Sequence, residues 1–415
     1  MRTISVRMSA SIFICLLSLL VLPRITMAED MIRIGMVEPF SGPMESYGRE
    51  CLAAAQFAVD EQDAKGGLLG KKIQLLHEDN EFKPDVAVKR ARKLVLEDKV
   101  NFITGSVGTP MAVALNHVAT SYKTIMIQYS AAGDLIQGKE FSRYGFRISQ
   151  NIYNLGASLA ELMAVKPYKN YYEVQPDFVA GRETDALIKG ILKTSAPQIK
   201  VVGTEYTPFG TNDFGPYLTK MMAAKPDALI VGLYGVELIN FIKQARKMGF
   251  ASPFPIFSMF ALDPYVMQEL KEDGVGVYTT WEYELRIKSP ENQAMIKKFN
   301  EQHKNDKDFI TWWPSSSLGN ALLAWKMTFA AIEKADSLDP EKIIETLENF
   351  QWKGPAGQWT MRKCDHQVML PMYGGVIEAG SNPFYPFPWI GAKLEVFPAE
   401  KVVVPATKDY NQRCP

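Results

Sequence analysis

Apolar residues follow two alternating patterns along the first part of the chain: short continuous runs, and longer stretches in which they recur every three or four positions. The run 32–37 predicts a strand, and the stretch 47–64 predicts a helix because Leu52, Ala55 and Val59 share one helical face. Further predicted strands are 72–77, 100–104 and 124–128, and further predicted helices are 84–95 and 110–121. This regular alternation predicts right-handed crossovers and a mostly parallel sheet with helices on both faces.

The same alternation restarts near residue 155 and indicates a second α/β unit. Its predicted helices are 155–165, 182–193, 214–224 and 236–248, and its predicted strands are 171–174, 199–206, 228–233, 255–258 and 275–281. Predicted helices then follow at 291–304, 314–334 and 340–350, before predicted strands at 358–361 and 368–377. The proline-containing stretch 392–415 has neither period and is expected to be irregular.

The chain is expected to cross between two lobes at 148–151, 282–287 and 350–357, where the strand and helix patterns are interrupted without a low-complexity linker. Several short crossings predict a hinge that can bend but not lengthen. We therefore predict an α/β fold of two lobes joined by a three-strand hinge. In residue numbers, the first lobe comprises 29–148 with 284–352, the second 149–283 with 353–392, and the C-terminal tail 393–415.

Residues 1–28 have the parts of a secretory signal peptide. Arg2 and Arg7 give a positive start, 11–22 is an unbroken apolar run, and 26–28 offers small residues for cleavage. An N-terminal membrane anchor is the alternative, but the run is shorter than the ~20 residues of a spanning helix. We therefore expect cleavage after Ala28 and export of the mature chain.

The balance of charge excludes two classes of partner. The chain has 46 basic and 46 acidic side chains, so no basic field exists that would recruit nucleic acid or an anionic membrane.

Export to an oxidising compartment permits a disulfide. The position of Cys414 beside the C-terminus favours a Cys364–Cys414 bridge that holds the tail, with Cys51 a buried free thiol. The other two pairings remain open.

Two predicted strands end in loops with the chemistry of a ligand site. Residues 105–110 end one strand and open a helix, so Thr109 would offer a hydroxyl beside the unpaired N–H groups of a helix start, which suits a carboxylate. A plain N-cap turn is the alternative, and the absence of a phosphate-loop lysine argues against a nucleotide. Residues 128–132 end the next strand, where Ser130 and Ala132 are small enough for a ligand to approach the backbone.

Aromatic residues gather at predicted strand ends and loops, where they could hold a flat or apolar ligand between two lobes. They are Tyr47, Tyr129, Tyr153, Phe178, Tyr234, Phe260, Trp281 and Tyr283. For any one of them, core packing or surface exposure is an equal alternative. The four histidines have no metal-ligand spacing, and no GxSxG, HExxH or paired CxxC motif occurs, so we expect no catalysis, no metal and no cofactor.

Segments along the whole mature chain resemble the type I periplasmic solute-binding proteins of ABC transporters, in the leucine/isoleucine/valine-binding branch. These segments are 34–43 with Tyr47 and Gly48, then 64–73, 102–106, 227–231 and 244–249. Residues 365–367, with the cysteine before them and the one near the tail, resemble a subset of this family. The resemblance implies two Rossmann-like lobes that close on a ligand as a Venus flytrap, a periplasmic location and no chemistry.

The resemblance also implies roles for single residues. Tyr47 and Tyr234 correspond to tyrosines that line the cleft. Thr109 corresponds to a hydroxyl residue that holds the ligand carboxylate, and Ser130 to a residue whose backbone reaches the ligand.

Two positions differ from those of amino-acid binders, because Ala132 replaces a threonine and Phe260 replaces the acid that holds the ligand ammonium. An ammonium closed in the cleft without a carboxylate would be costly. We therefore expect a transport receptor for a small aromatic or hydrophobic carboxylate that lacks an α-amine, with Phe178, Phe260 and Trp281 around its body.

Two alternatives to this ligand and role remain open. One is a receptor for an aliphatic amino acid or amide, in which Asp263 or Glu282 supplies the missing acid. The other is a ligand-sensing ectodomain that works with a signalling partner. Under the favoured hypothesis of a transport receptor, the expected partners are the small carboxylate and a membrane permease. We expect no nucleic-acid partner, and we expect the protein to be a monomer.

Overall fold

Two sheets of mostly parallel strands organise this protein, whose computed structural model describes residues 31–133, 136–307, 313–380 and 382–415. The predicted signal peptide, 1–28, lies outside the described residues. Within these ranges, every helix is too short or too polar to cross a lipid bilayer.

The first sheet has five parallel strands in the order β2-β1-β3-β4-β5. They are β1 (Ile32–Glu38), β2 (Ile73–Asp79), β3 (Phe102–Thr104), β4 (Ile125–Gln128) and β5 (Gly145–Arg147). The connecting helices are α1 (Glu45–Ala64), α2 (Pro84–Leu96) and α3 (Thr109–Tyr122). β3 and β4 are buried along their whole length, as expected of parallel strands covered by helices on both faces.

A second series of strands and helices follows in the same alternating order. Its strands are β6 (Asn170–Pro176), β7 (Lys200–Thr207), β8 (Ala228–Val231), β9 (Ile256–Ser258) and β10 (Val277–Trp281). Its helices are α4 (Ile152–Ala164), α5 (Val179–Ser195), α6 (Gly215–Ala224), α7 (Gly235–Lys247) and α8 (Pro264–Leu270). The side chains of Asn151 and Asn154 cap the start of α4 reciprocally.

The chain then returns to the first sheet through α9 (Pro290–His303), α10 (Ser316–Ala335) and α11 (Pro340–Leu347). α10 packs along α1, and Phe299 of α9 packs on Phe57 of α1 with ring centroids 5.1 Å apart. A small antiparallel sheet follows, made of β11 (Gln351–Gly354), β12 (Gly357–Met361) and β13 (Val368–Met369).

The C-terminal strands complete the second sheet. They are β14 (Met372–Glu378), β15 (Trp389–Ile390) and β16 (Glu395–Phe397), and the short helix α12 (Ala399–Val402) follows. The sheet order is β15-β14-β10-β9-β8-β6-β7, with β16 also paired to β14 and β14 antiparallel to β10. The first sheet with α1–α3 and α9–α11 is called the first lobe below, and the second sheet with α4–α8 the second lobe.

The described chain passes between the lobes after β5, after β10 and after β13, so three segments cross as expected from the sequence. The last crossing was expected at 350–357 but follows β13, because residues 351–361 pair as β11 and β12 of the small antiparallel sheet. Gln367 joins two of these crossings, because its Nε2 donates to the carbonyl of Ser149 at 2.7 Å. The crossing after β10 is held by the Arg286 guanidinium, which donates to the carbonyls of Ile390 and Gly391.

Two apolar cores stabilise the first sheet. One lies on the side of α2 and α3 and includes Leu94, Ile103 and Leu115. The other covers the opposite face beneath α1 and continues through the hinge into the second lobe. The sheet is therefore buried on both faces, which leaves its strand ends as the place where polar loops gather.

Short elements are where the structure differs from the sequence-based prediction. β5 and α8 were not expected, because three to seven residues are too few to establish a period. The expected strand 368–377 is divided into β13 and β14, since Pro371 cannot donate a ladder hydrogen bond. The stretch 392–415, expected to be irregular, contains β16 and α12 because Phe397 and Val402 are buried.

The predicted Cys364–Cys414 disulfide is present, and Cys51 is free and buried. The tail around Cys414 is also held by hydrogen bonds, among them Asn411 Nδ2 to the carbonyl of Gln137 at 2.6 Å. The end of the chain is thus attached to the first lobe.

Candidate functional site

The carboxyl ends of parallel strands in both sheets carry the polar and aromatic residues singled out from the sequence. On the first lobe, β1 ends with Glu38, β3 is followed by residues 105–109 and β4 by residues 129–132. On the second lobe, the residues after β8, β9 and β10 include Tyr234, Phe260 and Glu282. Open α/β sheets bind ligands at this edge. The space between the two edges is called the interlobe cleft below.

Thr109 lies at the start of α3, directly after the N-cap residue Gly108. Gly108 has no side chain to cap the helix, so the first-turn N–H groups keep their capacity for an anion. Thr109 Oγ1 accepts a hydrogen bond from the Gly133 N–H at 3.2 Å, which joins the helix start to the loop after β4. The partly exposed Thr109 hydroxyl can still donate to a ligand oxygen.

Glu38 is a fully buried acid at the end of β1. Its Oε2 accepts a hydrogen bond from the Val107 N–H at 2.9 Å, and its Oε1 accepts one from Ser130 Oγ at 3.3 Å. Desolvation raises the pKa of Glu38 to about 7, even though hydrogen bonds from Val107, Ser130, Ser106 and Cys51 oppose the shift. The acid therefore reaches both loops that the sequence associates with a ligand carboxylate.

Tyr234 and Phe260 form an edge-to-face aromatic pair on the second lobe, with ring centroids 6.0 Å apart. Tyr234 is the N-cap residue of α7, and burial raises the pKa of its hydroxyl, which therefore stays neutral. Both rings are partly buried and can cover one face of a flat ligand.

Tyr47 and Asp263 connect the two lobes across the cleft. The Tyr47 hydroxyl, on the first turn of α1, lies near the carboxylate of Asp263, the N-cap residue of α8, and desolvation together with this acid raises the pKa of Tyr47. The same carboxylate accepts a hydrogen bond from the Tyr265 N–H at 2.8 Å. Asp263 is buried, and desolvation raises its pKa.

A second contact between the lobes lies further from the strand ends. Tyr385, in the loop between β14 and β15, donates its hydroxyl proton to the carbonyl of Trp313 at 3.3 Å. The neighbouring Phe384 packs edge-on against the Trp313 ring with centroids 5.3 Å apart. Because Trp313 precedes α10 of the first lobe, this contact also joins the two lobes away from the hinge.

Glu282 directly follows β10 and is only 2% exposed. Within the described part of the chain, its Oε2 has no hydrogen-bond partner. Desolvation raises the pKa of this carboxyl well above its ordinary value. Glu282 is thus a buried acid with unused hydrogen-bonding capacity at the second-lobe edge.

The structure brings some of the residues predicted for the site together. Thr109, Ser130 and Ala132 share the first-lobe edge, and Tyr234 contacts Phe260 on the second lobe. The carbonyl of Ala132 accepts a hydrogen bond from the Ile152 N–H at 2.8 Å, so the backbone at this position is already used at the start of α4.

Other predicted residues lie apart from these sets. Phe178 packs against Phe209 at the outer end of the second-lobe edge, where the rings are 37% and 70% exposed. Tyr153 is partly buried on the first turn of α4. Trp281 is the last residue of β10. It is buried, and it pairs with Tyr373 in the register of β10 with β14.

Glu38 is the residue that the sequence reasoning missed. It stands in the first segment of the family resemblance, but no role was assigned to it. The available signal was its place, because an acid that ends a buried strand at the ligand edge needs a partner there.

In the part of the chain that the structure describes, one group of three potential metal ligands lies close together: Cys364, Asp365 and Cys414. Both cysteines are joined in the disulfide, so their sulfurs are not available as thiolate ligands. This group therefore offers no metal centre, and it lies outside the cleft edges.

A sequence model of the periplasmic binding proteins matches residues 31–382. The chain belongs to this family. Within it, this periplasmic binding protein is a type I member of the leucine/isoleucine/valine-binding branch, as the sequence resemblance indicated.

Named relatives of this periplasmic binding protein are distant but nearly full length. The Leu/Ile/Val-binding protein homolog 6 of Brucella melitensis biotype 1 is 23% identical over 364 residues, which cover 86% of this chain and 90% of the relative. A branched-chain amino acid ABC transporter periplasmic ligand-binding protein from Burkholderia xenovorans LB400 has a TM-score of 0.79 at 23% identity, over 91% of this chain and 98% of that one. A solute-binding protein of an ABC transporter from Rhodopseudomonas palustris BisB5, solved with 3,4-dihydroxybenzoic acid, has a TM-score of 0.76 at 22% identity, over 89% and 98%.

Proposed function

We propose that this protein is the periplasmic receptor of an ABC importer. In this proposal it binds a small aromatic or hydrophobic carboxylate without an α-amine in the interlobe cleft and delivers it to a membrane permease. The observation that carries the proposal is that the two edges of the cleft differ in chemistry. The first-lobe edge is polar, with Thr109 and Ser130 beside the uncapped start of α3, and the second-lobe edge is aromatic, with the Tyr234–Phe260 pair.

The first-lobe edge suits the carboxylate end of such a ligand. Thr109 and Ser130 supply hydroxyl groups, and the start of α3 supplies N–H groups with the positive end of a helix dipole. Hydrogen bonds to a charged oxygen are about twice as strong as neutral ones. A ligand carboxylate would therefore gain most of its orientation here.

The second-lobe edge suits the flat body of the ligand. Tyr234 and Phe260 offer ring faces and edges, and the position of Phe260 is the one at which the family resemblance implies an ammonium-binding acid in amino-acid binders. The Rhodopseudomonas palustris protein, solved with an aromatic acid, adds support at the level of the shared fold.

An amine-bearing ligand, such as an aliphatic amino acid, is the second candidate. The observation that favours it is Glu282, a buried carboxyl with an unpartnered oxygen at the second-lobe edge. Asp263 favours it less, since its carboxylate already accepts a hydrogen bond from the Tyr265 N–H and faces the Tyr47 hydroxyl.

In the proposed cycle the protein makes and breaks no covalent bond. Ligand binding favours the closed arrangement only as far as the ligand contacts both lobes at once. We propose that the closed monomer then docks on the permease, and that no enzymatic activity or cofactor is involved.

Thermal unfolding of the mature protein against a panel of acids tests the proposal. The protein is first unfolded and refolded to remove any bound ligand. The panel pairs benzoate, 4-hydroxybenzoate and short aliphatic carboxylates with leucine, isoleucine, valine and phenylalanine. A ligand at a hundredfold excess over its Kd adds about 2.7 kcal/mol to the free energy of unfolding, which a melting curve resolves.

We expect aromatic acids to raise the melting temperature and the amino acids to leave it unchanged. A shift with amino acids alone would replace the favoured ligand by the amine-bearing one and would assign Glu282 as its partner. The matched variant Glu282→Gln should then lose that shift, whereas it should keep the shift caused by an acid without an amine.

A further inference from the structure

The Glu38 side chain and the Ser130 hydroxyl form a hydrogen-bonded pair at the floor of the proposed carboxylate site. Glu38 has no solvent exposure, whereas Ser130 is partly exposed at the end of β4. The two side chains are 3.3 Å apart, from Ser130 Oγ to Glu38 Oε1. Ser130 is therefore the member of the pair that can reach a ligand, and Glu38 can act on the ligand only through it.

A serine hydroxyl has one proton to donate. When Glu38 is ionised it can only accept, so the Ser130 proton is used internally and only lone pairs remain for the cleft. Those lone pairs repel a ligand carboxylate. When Glu38 is protonated, its own O–H can donate to Ser130 Oγ, and the Ser130 proton becomes free for the ligand.

The second oxygen of Glu38 does not disturb this exchange. Oε2 accepts the Val107 N–H at 2.9 Å, and a neutral carboxyl can keep this bond through its carbonyl oxygen while its hydroxyl oxygen serves Ser130. Both protonation states thus keep the Val107 N–H and the Glu38–Ser130 pair hydrogen-bonded, and they differ in what Ser130 presents to the cleft.

We propose that Glu38 is a positioning residue that sets the direction of the Ser130 hydrogen bond, so that carboxylate binding requires neutral Glu38 and draws one proton from solvent when Glu38 is ionised beforehand. This inference rests on the proposed carboxylate ligand. No covalent bond changes except that of the proton, which passes from water or buffer to Glu38.

The surroundings of Glu38 place its protonation equilibrium within the physiological pH range. Burial raises its pKa to about 7, so both forms are populated in the free protein near neutral pH. The titratable side chains on the surrounding elements are Cys51 and Glu50 of α1, Asp79 of β2 and Tyr129 after β4. Each is neutral or acidic, and a bound carboxylate would add a further negative charge that favours the protonated form.

Calorimetric titration with 4-hydroxybenzoate tests the coupling in the refolded mature protein between about pH 5.5 and 8. If that acid gives no shift in the panel, the panel acid with the largest shift replaces it. Each titration is repeated in two buffers of different ionisation enthalpy, which reports the number of protons taken up. The expected wild-type affinity is constant below pH 7 and falls by up to about tenfold per pH unit above it, with uptake approaching one proton.

The variant Glu38→Gln separates this role from simple packing. Glutamine can accept the Val107 N–H through Oε1 and donate to Ser130 through Nε2 at every pH. Its affinity should therefore not vary with pH, and its proton uptake should vanish. Glu173→Gln is the matched control, because Glu173 is a buried acid with a raised pKa on β6 of the second lobe; it should keep the wild-type pH dependence of binding.

Wild-type binding without proton uptake at about pH 8, or an unchanged pH slope in Glu38→Gln, would overturn the inference while the carboxylate ligand stands. If no carboxylate binds even at about pH 5.5, the proposed function fails and the coupling fails with it. Should Glu38→Gln not fold, wild-type proton uptake remains decisive, and Ser130→Ala should abolish most of the pH slope because the donor itself is gone.

Discussion

Buried acids that share hydrogen bonds recur in this protein, and Glu173 with Asp185 is the clearest case in the second lobe. Glu173 is fully buried on β6, and its carboxyl hydrogen-bonds to that of Asp185. Desolvation and this neighbour raise the pKa of Glu173 to about 8. Burial alone would raise the pKa of Asp185. The interaction with Glu173, the ion pair with Lys189 at 2.5 Å and the hydrogen bond from the Tyr206 hydroxyl at 2.8 Å together lower it.

Replacing Glu173 by glutamine should flatten the pH dependence of stability. Between about pH 5 and 8 native Glu173 keeps a proton that the unfolded chain releases, so the contribution of this residue to the free energy of unfolding falls by up to about 1.4 kcal/mol for each unit rise in pH. Asp185 acts in the opposite direction, but only in more acidic solution. Urea unfolding at several pH values measures the slope. Glu183→Gln, on the exposed side of α5, should follow the wild type, and a Glu173→Gln curve parallel to the wild type would contradict the assignment.

Thr109→Ala should weaken binding of the aromatic acid by about 10- to 100-fold, the effect of losing one hydrogen bond to a charged group. The melting temperature without ligand should change little, since Thr109 is partly exposed. Calorimetry or ligand-dependent melting measures the loss. Thr219→Ala makes the same substitution on the exposed face of α6 and should bind as the wild type does. Equal affinity in both variants would remove Thr109 from the site.

At the residue scale, the sequence located Thr109 and Ser130 because apolar runs show where strands end, and ligands bind at those ends. The same runs could not reveal that Ser130 donates to Glu38. Periodicity identifies the last residue of a strand but not the direction of the side chain that follows it, and here that direction decides the hydrogen bond.

At the scale of elements, the disulfide joins the start of the turn before β13 to the last residues of the chain. Cys364 and Cys414 are separated by 50 residues. Beside the bridge, Arg413 donates to Glu348 at 2.8 Å, and His366 stacks on Phe146 of β5 with ring centroids 4.0 Å apart. The bridge therefore holds the tail against the residues where the chain crosses between lobes.

The double variant Cys364→Ser/Cys414→Ser should lower the free energy of unfolding by about 4 kcal/mol, the loop-closure entropy for a loop of 50 residues. Urea unfolding measures this difference. Reduction of the wild type should reproduce the loss, and reduction of the double variant should have no further effect. Unfolding of the variant at the wild-type urea concentration would show that the tail is held by its hydrogen bonds alone.

Element prediction succeeded where the pattern was long and failed where it was short. α1 and α10 each carry many turns of apolar periodicity, whereas β5 has three residues. α8 left a signal that was not used, because Asp263 followed by Pro264 combines an N-cap residue with a proline at the first helical position.

At the scale of the whole molecule, the Tyr47 hydroxyl of the first lobe faces the Asp263 carboxylate of the second, and we expect this contact to favour the closed arrangement before any ligand binds. Two lobes were predictable from the restart of the strand–helix alternation. This pairing was not, because residues so far apart in sequence meet only after both lobes have folded and the hinge has set their orientation.

Tyr47→Phe should shift the ligand-free protein towards the open arrangement. Loss of a polar contact with a carboxylate, worth at most one charge-assisted hydrogen bond, changes such an equilibrium by up to about 100-fold. Small-angle X-ray scattering of the ligand-free protein should therefore give a larger radius of gyration for the variant, and saturating ligand should reduce the difference. Tyr217→Phe on α6 is the control and should match the wild type. Identical scattering of all three proteins would mean that the hydroxyl does not govern closure.

Cys51 gives the first lobe an internal reporter of its own opening. Among the described residues it is the one cysteine outside the disulfide, it is 3% exposed, and its thiol lies near Glu38 beneath the ligand edge. Burial raises the pKa of its thiol, so the native state offers a labelling reagent neither access nor thiolate. A reagent can therefore modify Cys51 only when the core beneath α1 opens. The labelling rate of the unaltered protein thus measures local unfolding of this core, and any ligand bound above Glu38 should lower that rate.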